Sequence, residues 1–212
     1  VTYTFDLHGG AEVFPLSAQS GTYNVSVYEN VEGTQYASVL SQTIQVSITD
    51  EFGAFLYPNQ FVNFTASSLA VQKGSELAYY CNNDTEVVES VYNYIISNFK
   101  YDYNKAKNVK SGYIPDIDKV FTEKTGICFD YASVMAAMLR SQSIPTRLEV
   151  GYAGDEYHAW ISTYIKDKGW INGIIEFNGK DWNMLDPTFA STSSSPKDFI
   201  AKDSDYIVKY VY

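Results

Sequence analysis

Apolar positions along this chain follow two different periods. Over residues 1–78 they alternate with polar ones. The runs 2–7, 22–28, 43–49 and 61–65 are broken by Gly9-Gly10, Glu32-Gly33, Asp50 to Gly53 and Pro58-Asn59. Alternation of this kind puts one side chain in two on each face of a strand, and turn residues at short intervals fold the strands back. The pattern predicts a small antiparallel β-sandwich over residues 1–78.

Near Asp84 the period changes. Val87, Val91, Ile95 and Phe99 recur every fourth residue, with Val88 and Ile96 beside them, so 85–99 is a helix and Asp84 its N-cap. A Tyr- and Lys-rich stretch fills 100–115. Asp116 then caps a short helix through Val120-Phe121. Gly126 breaks the chain, and Cys128 opens a third helix. Its buried stripe is Tyr131, Val134, Met135, Met138 and Leu139, with Ala132, Ala136 and Ala137 permitting close packing; Pro145 ends it. Strands are expected at 146–152, 157–165, 170–177 and 182–186, with a hairpin at Asn178-Gly179. The Ser-rich stretch 191–195 reads as a loop before a last strand at 206–211. Helices followed by an antiparallel sheet give an α+β domain over 79–212 behind the N-terminal sandwich.

Composition narrows the function classes. The 212 residues carry net charge −10, and Arg140 and Arg147 are the only arginines, which argues against nucleic acid. The acids are uneven: residues 1–78 hold seven against one base, Lys73. No apolar run reaches the ~20 residues needed to span a bilayer. Two Cys and two His cannot build a zinc cluster of those ligands. Asp155-Glu156 falls short of a six-to-eight-oxygen calcium site, so neither metal nor cofactor is expected. The 19 Tyr, 12 Phe and 3 Trp among many Ser, Thr and Asn read as an exported, extracellular or cell-surface protein. The chain opens at Val1 without a signal peptide or initiator Met, consistent with processing or with a lipid anchor upstream. Sequons begin at Asn24, Asn63 and Asn83 and matter only in a eukaryotic secretory setting.

Three polar residues exceed what the local pattern needs. Cys128 stands at a helix start, His158 follows 30 residues later on a strand, and Asp186 a further 28 on, before Pro187. A thiolate is a strong nucleophile, and unpaired N–H groups at a helix start, together with an imidazolium partner, would lower the thiol pKa. His158 would pair with the sulfur and protonate the leaving amine, Asp186 would fix the imidazole tautomer, and the Cys128 N–H would be one oxyanion donor. His158 and Trp160 share a strand face, on which the Cys128 helix is expected to pack. Each residue alone also has a plain role: a core Cys, a structural His, a turn-starting Asp. His8 reads as a solvated or turn-capping residue.

The runs Gly126-Ile-Cys-Phe-Asp-Tyr-Ala, Met138 to Arg147, Gly151-Tyr-Ala, His158-Ala-Trp and Asp186-Pro-Thr-Phe resemble the transglutaminase-like superfamily, over about 84–189. The resemblance implies a papain-like Cys-His-Asp triad at Cys128, His158 and Asp186, on a helix-plus-antiparallel-sheet core. It also implies an enzyme that acts on amide bonds of a protein or peptide, cell-wall peptide among the candidates, through a thioester. The choice between hydrolysis and amine transfer stays open, with a lean toward hydrolysis from the size of bacterial members. Substrate contacts are expected at Trp160, which could equally pack, and at Tyr113; Tyr101, Tyr103 and Tyr113 all lie upstream of the Cys, where relatives place an oxyanion or substrate-contact residue, and the choice among them stays open. Asp130 reads as favourable charge near a helix start. Two other readings stay in view. One is a non-catalytic adhesion or scaffold module that keeps the fold, and the other is a binding protein stapled by a Cys81–Cys128 disulfide, although Cys81 reads as structural.

Overall fold

The structure is a computed structural model that describes residues 1–5, 12–153, 155–171, 176–177, 182–183 and 206–212. Asp186, His8, Gly9-Gly10, the Asn178-Gly179 turn and the stretch 191–195 lie outside the described residues. In chain order the elements are β1 (Gly21–Glu32), β2 (Gln35–Val46), α1 (Leu69–Ala78), α2 (Asp84–Asn98), β3 (Lys100–Tyr101), α3 (Tyr103–Asn108), α4 (Ile117–Glu123) and β4 (Thr125–Gly126). After them come α5 (Cys128–Arg140), β5 (Thr146–Ala153), β6 (Glu156–Ile165), β7 (Gly169–Ile171), β8 (Glu176–Phe177), β9 (Trp182–Asn183) and β10 (Tyr206–Val211). The class is α+β, as the sequence predicts.

Helix α5 is the centre of the molecule. Every residue from Asp130 to Arg140 is buried, far more than a single stripe, because the helix is packed on both sides. Helices α1, α2 and α4 cover one side, and β5 and β6 the other. Ala132, Ala136 and Ala137 keep the neighbours close, as their size predicts. The sheet is four-stranded and antiparallel in the order β10-β5-β6-β7. Its α5-facing surface is formed by Leu148, Val150, Ala159 and Ile161. The opposite face carries Glu149, Trp160 and Ser162, joined by hydrogen bonds. Alternation therefore roots His158 on the face away from α5, contrary to the expected stacking of the Cys128 helix on the His158/Trp160 face.

The first third of the chain departs most from the pattern. Among the described residues no sandwich forms there. β1 and β2 make a two-stranded antiparallel ladder, turned at Gly33, with both faces exposed, including Tyr28 at 60% and Tyr36 at 63%. A sandwich needs a second sheet to bury one face of the first, and no described strand supplies it. The run 61–65 is not a strand, because Asn59 takes its backbone donors: Phe61 N and Val62 N both bond to Asn59 Oδ1, at 3.0 and 2.9 Å. The N-cap residue of helix α1, Ser68, does not cap the helix with its own side chain. Its N-terminus is capped from a distance: Asp118 of α4 accepts from Leu69 N at 2.9 Å and Ser68 Oγ at 3.1 Å. Phe61, Val62 and Ala70 enter the same core as α5.

Other helix starts follow local chemistry. Asn83, one residue before the expected Asp84, caps α2 by accepting from Glu86 N at 3.1 Å. Asp116 caps α4 through Lys119 N, as expected. Buried Arg140 then joins three segments. It donates to the carbonyls of Thr146 (2.9 Å), Tyr57 (2.9 Å) and Tyr212 (2.8 Å), which satisfies carbonyls that would otherwise be buried without donors.

Gly74 sets the separation of α1 and α5: a Cβ there would lie 3.0 Å from the Met138 carbonyl oxygen and 3.3 Å from its Cα. The obstacle is helix backbone and cannot swing aside. Gly74→Val is therefore expected to lower the unfolding free energy by about 1–3 kcal/mol, read as a lower urea midpoint. An unchanged midpoint would show that the two helices separate without cost.

Candidate active site

The first turn of α5 is assembled by three neighbouring segments. Lys124 ends α4 in the left-handed region at φ 54° and directs the chain into β4. β4 pairs in parallel with β3: Lys100 N bonds to Lys124 O at 2.9 Å and Asp102 N to Gly126 O at 2.8 Å. This ladder sets Tyr101 beside the Cys128 turn. Gly126 is required by close approach, since a Cβ would sit 2.7 Å from Asp130 Cβ. Ile127 offers no capping side chain, so Asp130, at the third helical position, reaches back and accepts from Ile127 N at 2.8 Å.

Cys128 sits within this frame. The backbone N–H groups of Ala159 and Phe129 and the Tyr101 hydroxyl lie on its sulfur's side and favour its charged form. The Cys128 N–H acts likewise on the Tyr101 oxygen. Ala159 follows His158 on β6, so the sulfur abuts the peptide that joins His158 to Ala159. In this part of β6 the ladder runs on the β5 side, and β7 pairs only from Thr163 on. The sulfur thus meets the strand at its edge, which is common to both faces. That is how α5 can pack on one face while its thiol reaches the residue neighbouring a His158 rooted on the other. His158 is 6% exposed.

Burial pushes the Cys128 thiol up, and the negative Asp130 adds to this; the N–H groups of Ala159 and Phe129 and the Tyr101 hydroxyl oppose it. The lowered pKa expected from a helix start is not what the resting site shows. Desolvation outweighs the donors, which holds the thiol above its ordinary range. Tyr101, its phenol pushed by burial up to about 12, stays protonated and available as a donor.

Asp130 is more than charge near a helix start. It is 0% exposed and accepts from Lys105 Nζ at 2.7 Å and Tyr113 Oη at 2.5 Å, in addition to Ile127 N. Lys105 Nζ also donates to Tyr113 Oη at 2.6 Å. The Tyr113 hydroxyl is thus committed to this network, not left to bind substrate. The Trp160 indole is 2% exposed, donates to buried Glu149 at 2.7 Å and stacks edge-on with Tyr206, so it packs the sheet and offers a substrate no surface. Cys128 and Cys81 are both free, which removes the stapled reading; Cys81 packs under α1 with its thiol on the Leu77 carbonyl. Lys105 and Glu149 had no signal of their own in the sequence. Among the described residues no three His, Cys, Asp or Glu side chains converge as a metal site.

Residues 74–173 match the transglutaminase-like superfamily, which bears out the resemblance carried by the Cys128 and His158 motifs. The chain is 23% identical to the uncharacterized protein YebA of Bacillus subtilis strain 168 over 206 residues, covering 79% of this chain and 26% of that one. It is 27% identical over 108 residues to a protein-glutamine gamma-glutamyltransferase of Pseudomonas aeruginosa, covering 42% of this chain and 14% of that protein. The periplasmic domain of TgpA from Pseudomonas aeruginosa superposes with TM-score 0.44 at 21% identity, covering 60% of this chain and 45% of that one. The chain thus spans about a quarter or less of these two relatives. The match over residues 74–173 is to a superfamily, a grouping wider than any one activity.

The protonation balance has a measurable consequence. Alkylation of native Cys128 by iodoacetamide should accelerate only as pH rises past the ordinary thiol range near ~8.5. Tyr101→Phe, which removes a donor to the sulfur, should move the midpoint higher still. A native midpoint below pH 7 contradicts a site ruled by burial.

Proposed function

We propose that the chain is a cysteine-nucleophile enzyme that cleaves an amide of a protein or peptide through a thioester. The observation that carries this is the Cys128 sulfur lodged at the start of α5 against the N–H of Ala159, next to His158. In this reading Cys128 is the nucleophile, His158 the general base and then acid, and Asp186 the group that orients the imidazole.

Because the thiol is held above its ordinary range, its proton passes to His158 as the sulfur attacks the carbonyl carbon. The carbonyl π-electrons move to oxygen, and collapse of the tetrahedral adduct breaks the C–N bond. His158 returns the proton to the departing nitrogen, which leaves an acyl-thioester on Cys128. Water or an amine then attacks, and His158 takes its proton while the sulfur leaves.

Tyr101 and the Cys128 N–H suit the oxyanion. At rest both donors lie beside the sulfur. A substrate carbonyl that takes up this position gains both donors at the moment its oxygen becomes negative.

The P. aeruginosa relative named as a protein-glutamine gamma-glutamyltransferase favours a glutamine side-chain amide as the acyl donor. The split between water and amine as acceptor belongs to the same proposal. So do an exported or surface location, drawn from the aromatic-rich composition, and a division at about residue 78. In that division the region up to 78 recruits or positions, with Phe61, Val62 and α1 reaching into the core of the catalytic part.

The test is ammonia release from glutamine-bearing peptides and proteins, with and without a dansylated amine to report transfer. Wild-type chain should release ammonia, and Cys128→Ala should release none while keeping its circular dichroism. Tyr101→Phe should lower kcat by about 10²-fold with a much smaller change in KM, as for loss of one oxyanion donor. Full turnover by Cys128→Ala on the same substrate would sink the proposal.

A further inference from the structure

We infer that Lys105 and Tyr113 are positioning residues for the Cys128 site: by closing on the buried Asp130 carboxylate they fix the first turn of α5 and balance the charge it carries there. The inference rests on the reading of Cys128 as the nucleophile.

The segment 103–113 has little else to hold it. Helix α3 is six residues long and has no buried residue. Lys105 and Tyr113 nevertheless converge on Asp130, one oxygen each, at 2.7 and 2.5 Å, and on each other at 2.6 Å. Lys105 also lies 4.3 Å from the Tyr113 ring centroid. The oxygen that takes the ammonium also takes Ile127 N. A continuous path of hydrogen bonds thus runs from an exposed strap to the peptide preceding Cys128.

A charge this deeply buried needs its counter-ion. A lone carboxylate at 0% exposure would be strongly disfavoured, and it would stand two residues from a thiol that must yield a proton. Lys105 is the cation that Asp130 contacts among the described residues. Among the described residues the groups that act on the sulfur are Asp130 from α5, Tyr101 from β3 with Tyr103 behind it, and Tyr157 from β6. None of these is a cation anchored as Lys105 is. The pair therefore has two separable effects: it holds the turn in place, and it cancels a negative field at the sulfur.

The two effects give opposite signs. Lys105→Met uncovers the carboxylate and should raise the alkylation midpoint of Cys128 by about one pH unit, a tenfold slower reaction below the midpoint. Asp130→Asn leaves the ammonium uncompensated and should lower it by a similar amount. The double variant should return close to wild type. Lys105→Arg, which keeps the charge, should stay near wild type. Should Lys105→Met not fold, Tyr113→Phe takes its place, with a smaller upward shift expected from loss of one donor. Unchanged midpoints, or shifts of one sign in both single variants, overturn the inference. Alkylation reports on the thiol and not on turnover, so this failure would be distinct from failure of the nucleophile assignment, which the Cys128→Ala assay decides.

Discussion

One polar contact joins the two halves of the proposed chemistry. The Cys128 sulfur, on the first turn of the central helix, lies by the Ala159 N–H of β6, on the side of that strand where no described strand pairs. A helix start and a strand edge are both places where backbone donors lack regular partners. Docking one against the other brings the thiol to the residue that follows His158 in the chain. The remaining packing serves this contact. Three helices and two strands bury α5 along its length, so its N-terminus has a fixed place relative to β6.

The polar frame around that contact is unusually closed. Tyr101 lies beside the sulfur, and Asp130 closes the turn from the other side through hydrogen bonds with Ile127, Lys105 and Tyr113. Burial strengthens the bonds of Asp130 and also raises the thiol. That direction is opposite to the lowered pKa that helix position alone would suggest.

Much of this was legible in the sequence, for physical reasons. The start of α5 at Cys128, its apolar stripe, the cap at Asp116 and the strands of the sheet all follow from local periods and capping chemistry. What was not legible depends on contacts distant in sequence. Helix α1 is capped by Asp118, 49 residues beyond Leu69. The run 61–65 alternates as a strand would, yet Asn59 has taken its donors. Exposed period-2 runs over 21–46 form a ladder with no second layer among the described residues, because alternation says which faces exist and not what covers them. Trp160 shares a face with His158, but its partner Glu149 comes from the neighbouring strand and turns it into packing. Asp130 looked like a helix-start charge because Lys105, 25 residues upstream, could not be foreseen as its counter-ion.

The central claim is that Cys128, placed by α5 against the His158 strand, carries the acyl group. Mass spectrometry of the chain quenched in acid during turnover, with the adduct then challenged by hydroxylamine, addresses it most directly. The account predicts an acyl mass on the peptide that contains Cys128, lost on hydroxylamine treatment and absent from the Cys81 peptide. An active chain whose Cys128 peptide never carries that mass, or carries it no more than Cys81 does, would contradict it.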